Sequence, residues 1–138
     1  MKRKIYIILS LMLCILMLNA CAGRYDRISQ ELGIDISEGN VQLEDDTHGG
    51  FHNDGILRLK VEFPEKMNTA GEGWQELPMP EDVVETCEMV HEIDEFLPHT
   101  DDGFWFYADR SGGGGAVNFT LAVYDSSTDI LYYCSLDT

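Results

Sequence analysis

Basic residues are what this sequence lacks most. Its 138 residues hold 9 Lys+Arg against 25 Asp+Glu, a formal net charge of -16. Nucleic-acid binding runs through clustered Lys and Arg that neutralise phosphates, so the acid excess argues against such a partner. A long apolar run is missing too. The longest, Ile5 to Leu18, falls short of the roughly 20 residues that a spanning helix needs. Catalytic signatures are also absent. There is no Gly-x-Ser-x-Gly elbow and no His-Glu-x-x-His pair. The glycines Gly112 to Gly115 lead into Ala116 and a strand rather than the Lys-Ser/Thr and helix of a phosphate loop. Asp101-Asp102-Gly103 and Asp125 to Asp129 lack the ligand spacing of a calcium loop and read as turns. Internal repeats are missing as well. What is present is a hydrophobic content of 44% with 10% aromatics, enough for one packed domain.

The N-terminus has its own pattern. Lys2, Arg3 and Lys4 precede the apolar run, which ends in Leu18-Asn19-Ala20-Cys21. A basic start, a short apolar run and a small residue at its end describe a secretory signal peptide. The last four residues resemble the lipobox of bacterial lipoproteins, with Leu18 apolar, Ala20 small and Cys21 in the modified place. Asn19 departs from the small or hydroxyl residue usual there. The resemblance implies diacylglycerol on the Cys21 sulfur, cleavage before Cys21 and acylation of the new amino group. The protein would then sit on the extracytoplasmic face of the cell membrane, held by lipid. On this reading residues 1–20 are a lipoprotein signal peptide, 21–23 the anchor and short tether, and 24–138 a single domain. Cleavage takes three basic residues and no acid, leaving six against 25. Repulsion from an anionic surface should then turn Arg24 and Arg27 towards the lipid, within a Debye length of roughly 8 Å.

Along the mature chain, Tyr25, Ile28 and Leu32 predict a helix over 24–32 stopped by Gly33. Val41 to Glu44 is a short strand candidate. In 56–63, Leu57, Leu59, Val61 and Phe63 alternate with Arg58, Lys60 and Glu62, which predicts a strand with one buried and one wet face. Residues 65–80 read as loop, with Trp74 capping the core. Pro80, Glu81 and Asp82 begin a helix expected to run to about Glu95, with Val83, Val84, Cys87, Val90 and Ile93 inward. Residues 104–109 form an aromatic strand, and 117–124 with 130–136 a closing hairpin. The sum is an α+β domain, a small antiparallel sheet of four to five strands packed with one or two short helices. Through Val117 to Thr138 the mature part is similar to small uncharacterised lipoproteins of Gram-positive bacteria, a likeness that brings no activity with it.

Three groups of residues are site candidates. His48, His52 and Asp54 are a legitimate Zn²⁺ ligand set, although Gly49 and Gly50 disfavour helical His spacing; the alternative is a glycine-rich turn with polar residues in water. Glu81, Glu85, Glu88, Glu92 and Glu95 form a stripe along the expected helix, either a docking ridge for a cationic partner or a solvated face. His91 beside it has Glu88 and Glu95 as partners. Cys87 and Cys134 are expected to point into one core, as a candidate disulfide in an oxidising compartment or as buried thiols.

The functional reading is a membrane-anchored binding or interaction module with an acidic face, whose partner is a cationic protein or peptide. It includes no cofactor. Two alternatives stand beside it: a small metal-assisted hydrolase using His48, His52 and Asp54, and a membrane-tethered inhibitor or immunity protein.

Overall fold

The alternating residues after Gly55 and the apolar run after Asn118 meet in one sheet. The structure, a computed structural model, describes residues 23–67, 71–113 and 115–138; the expected signal segment and Cys21 lie outside them. Six strands follow in chain order: β1 (Asn40–Asp46), β2 (Gly55–Glu62), β3 (Trp74–Glu76), β4 (Gly103–Asp109), β5 (Phe119–Asp125) and β6 (Ile130–Asp137). All neighbours are antiparallel, in the order β1-β2-β6-β5-β4-β3. Residues 23–32 form helix α1, and a 3-10 turn, Ile36–Glu38, leads into the sheet. Helices α2 (Glu81–Glu88) and α3 (His91–Asp94) come between β3 and β4. The α+β class holds.

Each face of the sheet has its own core. Ile28 and Leu32 of α1 pack with Leu57, Leu59, Val61, Ala122, Tyr124, Leu131 and Tyr133. Val83, Cys87 and Ile93 of α2 and α3 pack with Trp105, Phe119, Leu121, Val123, Cys134 and Leu136 on the other side. Alternation at β2 means what it should: Leu57, Leu59 and Val61 are buried, while Arg58 and Lys60 are half-covered at the rim. At β5 it does not. All seven residues are buried, because consecutive side chains enter opposite cores and neither face is wet.

Two expectations need correction. The sheet has six strands rather than four or five, since β3 lies inside the stretch read as loop. Its three residues, Trp74 half-buried and Gln75 and Glu76 exposed, are too few to show a period. The helix expected to reach Glu95 breaks at Val90, which is extended at φ -119, ψ 93. In an unbroken helix Ile93 would lie roughly 80° from Val83 and roughly 120° from Cys87. The break lets all three enter one core, and Ile93 becomes fully buried.

Local chemistry sets the ends. α1 stops at Gly33 (φ +67), and the Trp74 indole N–H donates to the Leu32 carbonyl at 2.7 Å, covering the helix end that glycine leaves open. Glu81 and Asp82 sit in the first turn of α2, where the helix dipole favours acids. The β5–β6 turn closes on Asp125, which accepts from the Ser127 N–H at 2.9 Å, the Ser127 hydroxyl at 2.6 Å and the Thr128 hydroxyl at 3.0 Å. Burial alone would raise that carboxyl, but these bonds hold it below its usual range. Tyr124 donates to Asp129 at 2.7 Å and accepts from the Met67 N–H at 2.9 Å, and its burial pushes the phenol up to about 12.

Cys87 and Cys134 face the same core as buried free thiols. Burial, with Asp94 and Glu88 nearby, pushes Cys87 up to about 11, and burial raises Cys134 further. Thiol counting on the unreduced Cys21→Ala chain, which is not cleaved and so keeps Cys14, should therefore find three reactive groups in denaturant and very slow alkylation of Cys87 and Cys134 in the native state. A count of one in denaturant would show a bridge. Gly103 permits a sharper test. Its φ is +144 and a Cβ there would lie 1.9 Å from the Tyr124 carbonyl oxygen. Gly103→Ala should lower unfolding free energy in urea by at least ~2 kcal/mol, since neither backbone can move away.

Candidate functional site

The end of the sheet where β1 turns into β2 is also where β6 finishes, because Gly55 pairs with Asp137. α1 starts at this end. Between its first turns and the sheet rim lies a cleft of about 570 Å³. Three of the six basic residues after Cys21 line it: Arg24, Arg27 and Arg110. Glu31, Asp46 and Asp137 line it as well. In so acidic a chain this is a place of balanced charge.

Its polar groups are tied into one chain. Arg24 donates to Glu44 at 2.7 Å and to Asp46 at 2.8 Å. Tyr25 also donates to Glu44. Asp46 faces His48 Nδ1 at 2.6 Å, and His48 Nε2 faces Asp137 at 3.1 Å. Asp137 accepts from Arg110 at 2.7 Å. Arg110 then spreads over the strand ends, donating to the Thr120 hydroxyl at 3.2 Å, the Phe119 carbonyl at 3.1 Å, the Ser135 hydroxyl at 2.7 Å and the Leu136 carbonyl at 3.3 Å. One guanidinium thus joins β4's exit to β5 and β6. On the cleft wall the Tyr133 hydroxyl donates to Glu31 at 3.2 Å, and burial, with Glu31 adding, raises that phenol.

This network shifts its carboxylates downward. Asp46 lies below its usual range chiefly through the His48 hydrogen bond, with Arg24 adding and burial opposing. Glu44 is lowered first by Tyr25 and then by Arg24. Such pairs are partly exposed, and each is worth ~0.2–1 kcal/mol alone. Their effect on geometry is the larger one, since they lock α1, β1, β6 and the segment after β4 to one another.

The sequence candidates fall differently. His48 belongs to the network, with both ring nitrogens facing carboxylates, so neither is open to take a proton from a substrate. His52 is exposed on the hairpin turn against the Phe51 ring, and Asp54 is exposed, its backbone paired with Gly49. The structure does not assemble the three as ligands. Among the described residues no group of three His, Cys, Asp or Glu is placed to hold a metal ion. The five glutamates of the ridge are all exposed but divided between α2 and the α3 segment. His91 stands 3.2 Å from Glu95, on the surface.

Sequence reasoning missed Arg110 and Asp137. A signal existed: Arg110 is the only basic residue after Lys66 in a strongly acidic chain. No family model, curated protein or solved structure matches this chain.

Removing the imidazole leaves Asp46 and Asp137 facing one another without a donor between them. His48→Ala should lower stability by roughly 1 kcal/mol, about 4 °C in Tm, with the circular dichroism unchanged. The acid side gives the sign. A carboxyl held below its ordinary value, 3.8 for Asp46, contributes fully above that value and loses its contribution as pH falls through the lower folded one. Urea unfolding from pH 6 to pH 3 should therefore show a shallower acid decline in His48→Ala than in the parent.

Proposed function

We propose that the chain is a membrane-anchored surface lipoprotein whose domain acts as a binding or interaction module on the extracytoplasmic face. The observation that carries the reading is Leu18-Asn19-Ala20-Cys21 after Lys2 to Lys4 and the run Ile5 to Leu18. Lipid chemistry makes such an anchor sufficient. Each buried CH₂ contributes about 0.8 kcal/mol, one chain holds only marginally, and two or three hold stably. Among the described residues no helix is long and apolar enough to cross a membrane.

What supports a binding role is how the charges are used. Arg24, Arg110 and His48 are engaged by carboxylates, an arrangement that holds elements together rather than activating a nucleophile. The glutamates of α2 and the α3 segment remain exposed, and among the described residues only Glu95 has an ion-pair partner, His91. That surface is open to a cationic protein or peptide.

Intact mass decides the anchoring. Detergent-extracted protein should begin at Cys21 and carry the diacylglyceryl adduct. Cys21→Ala should lose both the adduct and cleavage at that bond. An unmodified mature chain from the parent sequence overturns the reading.

A further inference from the structure

The β1–β2 hairpin ends in Thr47-His48-Gly49-Gly50-Phe51-His52-Asn53-Asp54. Gly50 (φ +73) and Asn53 (φ 58) take left-handed conformations, and a backbone bridge between Gly49 and Asp54 carries the hairpin past the end of the ladder. At its tip Phe51 is 98% exposed. Its ring meets His52 edge-on, with centroids 5.2 Å apart. A phenylalanine this open contributes nothing to either core, and no other large apolar residue among those described is as exposed.

Its place in the fold gives the ring a neighbour. The first turn of α1 is bound to the end of β1 through Arg24, Glu44 and Asp46. Gly23 is already helical and lies two residues after Cys21, a separation that no conformation stretches beyond roughly 7 Å. A lipid on Cys21 therefore brings this end of the sheet to the bilayer. The turn of the hairpin projects from the same end, as does Val117, which is 42% exposed. Carboxylates outnumber the three arginines here, so the attraction is apolar and fits a zwitterionic surface better than an anionic one.

We infer that the hairpin tip is a second membrane contact: Phe51 enters the interfacial region of the bilayer to a depth of roughly 5–10 Å and fixes how the domain sits on its anchor. This inference rests on the lipoprotein reading. It gives the domain one orientation, with the glutamate-bearing layer of α2 and α3 along the side of the particle and the cleft beside the headgroups.

The test uses the full chain, processed in a bacterial host and reconstituted into phosphatidylcholine vesicles. An environment-sensitive fluorophore is placed at His52→Cys, and at Met89→Cys as a control on the α2 layer; Cys87 and Cys134 are buried and do not compete. The expected result is blue-shifted emission at position 52, strongly quenched by doxyl-labelled lipid, against water-like and unquenched emission at position 89. Adding Phe51→Asp should return the position 52 probe to water. Intact mass of the same preparation reports the lipid. A lipidated chain whose position 52 probe stays in water, or is unmoved by Phe51→Asp, overturns the hairpin contact and leaves the lipoprotein reading standing. A chain without the adduct overturns both.

Discussion

Every residue of β5 is buried, and most of the architecture follows from that. A strand with no wet face needs a cover on each side. This chain supplies α1 on one and the α2–α3 layer on the other. The α2 layer has to send Val83, Cys87 and Ile93 into one core, which a straight helix does not do, and Val90 unwinds to allow it. The α1 layer has to stop over the sheet, and Trp74 reaches across to cover its last carbonyl. The strand missed in the sequence, β3, is what carries that tryptophan.

Charge is used sparingly in one sign and freely in the other. With six basic residues after Cys21, each arginine with an ion pair joins separate parts of the chain. Arg24 joins α1 to β1, Arg58 joins β1 to the α3 backbone through Asp45 and the Glu92 carbonyl, and Arg110 joins the end of β4 to β5 and β6. Exposed pairs are individually weak, but a guanidinium with several donors makes one side chain serve several strands at once. Most of the remaining acids stay in solvent. They keep the particle soluble and repel other anionic surfaces, so contact with a membrane or a partner depends on where apolar and cationic groups have been left uncovered.

Those groups are not spread evenly. The end of the sheet that receives α1 also carries the balanced cleft and the hairpin with Phe51. If the chain is anchored through Cys21, this end faces lipid and the glutamates lie along the side of the particle. The proposed interaction module then has two distinct surfaces, one with an apolar tip for the bilayer, one acidic for a cationic partner.

Local patterns were legible wherever one residue sets its own surroundings. Gly33 ends α1 because the left-handed turn suits glycine, Leu57 to Val61 alternate because one face of β2 is buried, and Asp125 closes a turn through its own neighbours. Trp74 and the shared core of Cys87 and Cys134 were also readable, since large or apolar side chains on regular elements go inward. The site was not. His48 lies between two aspartates, one of them 89 positions away, and Arg110 reaches its partners only after β4, β5 and β6 are in register. No period or motif encodes such contacts, because they arise from the spacing of strand ends in three dimensions. The sequence by itself determined most of the elements, the acid balance and the lipobox pattern; the tertiary structure decided the sixth strand, the break at Val90 and the use of His48, each of which depends on contacts between residues far apart in the chain.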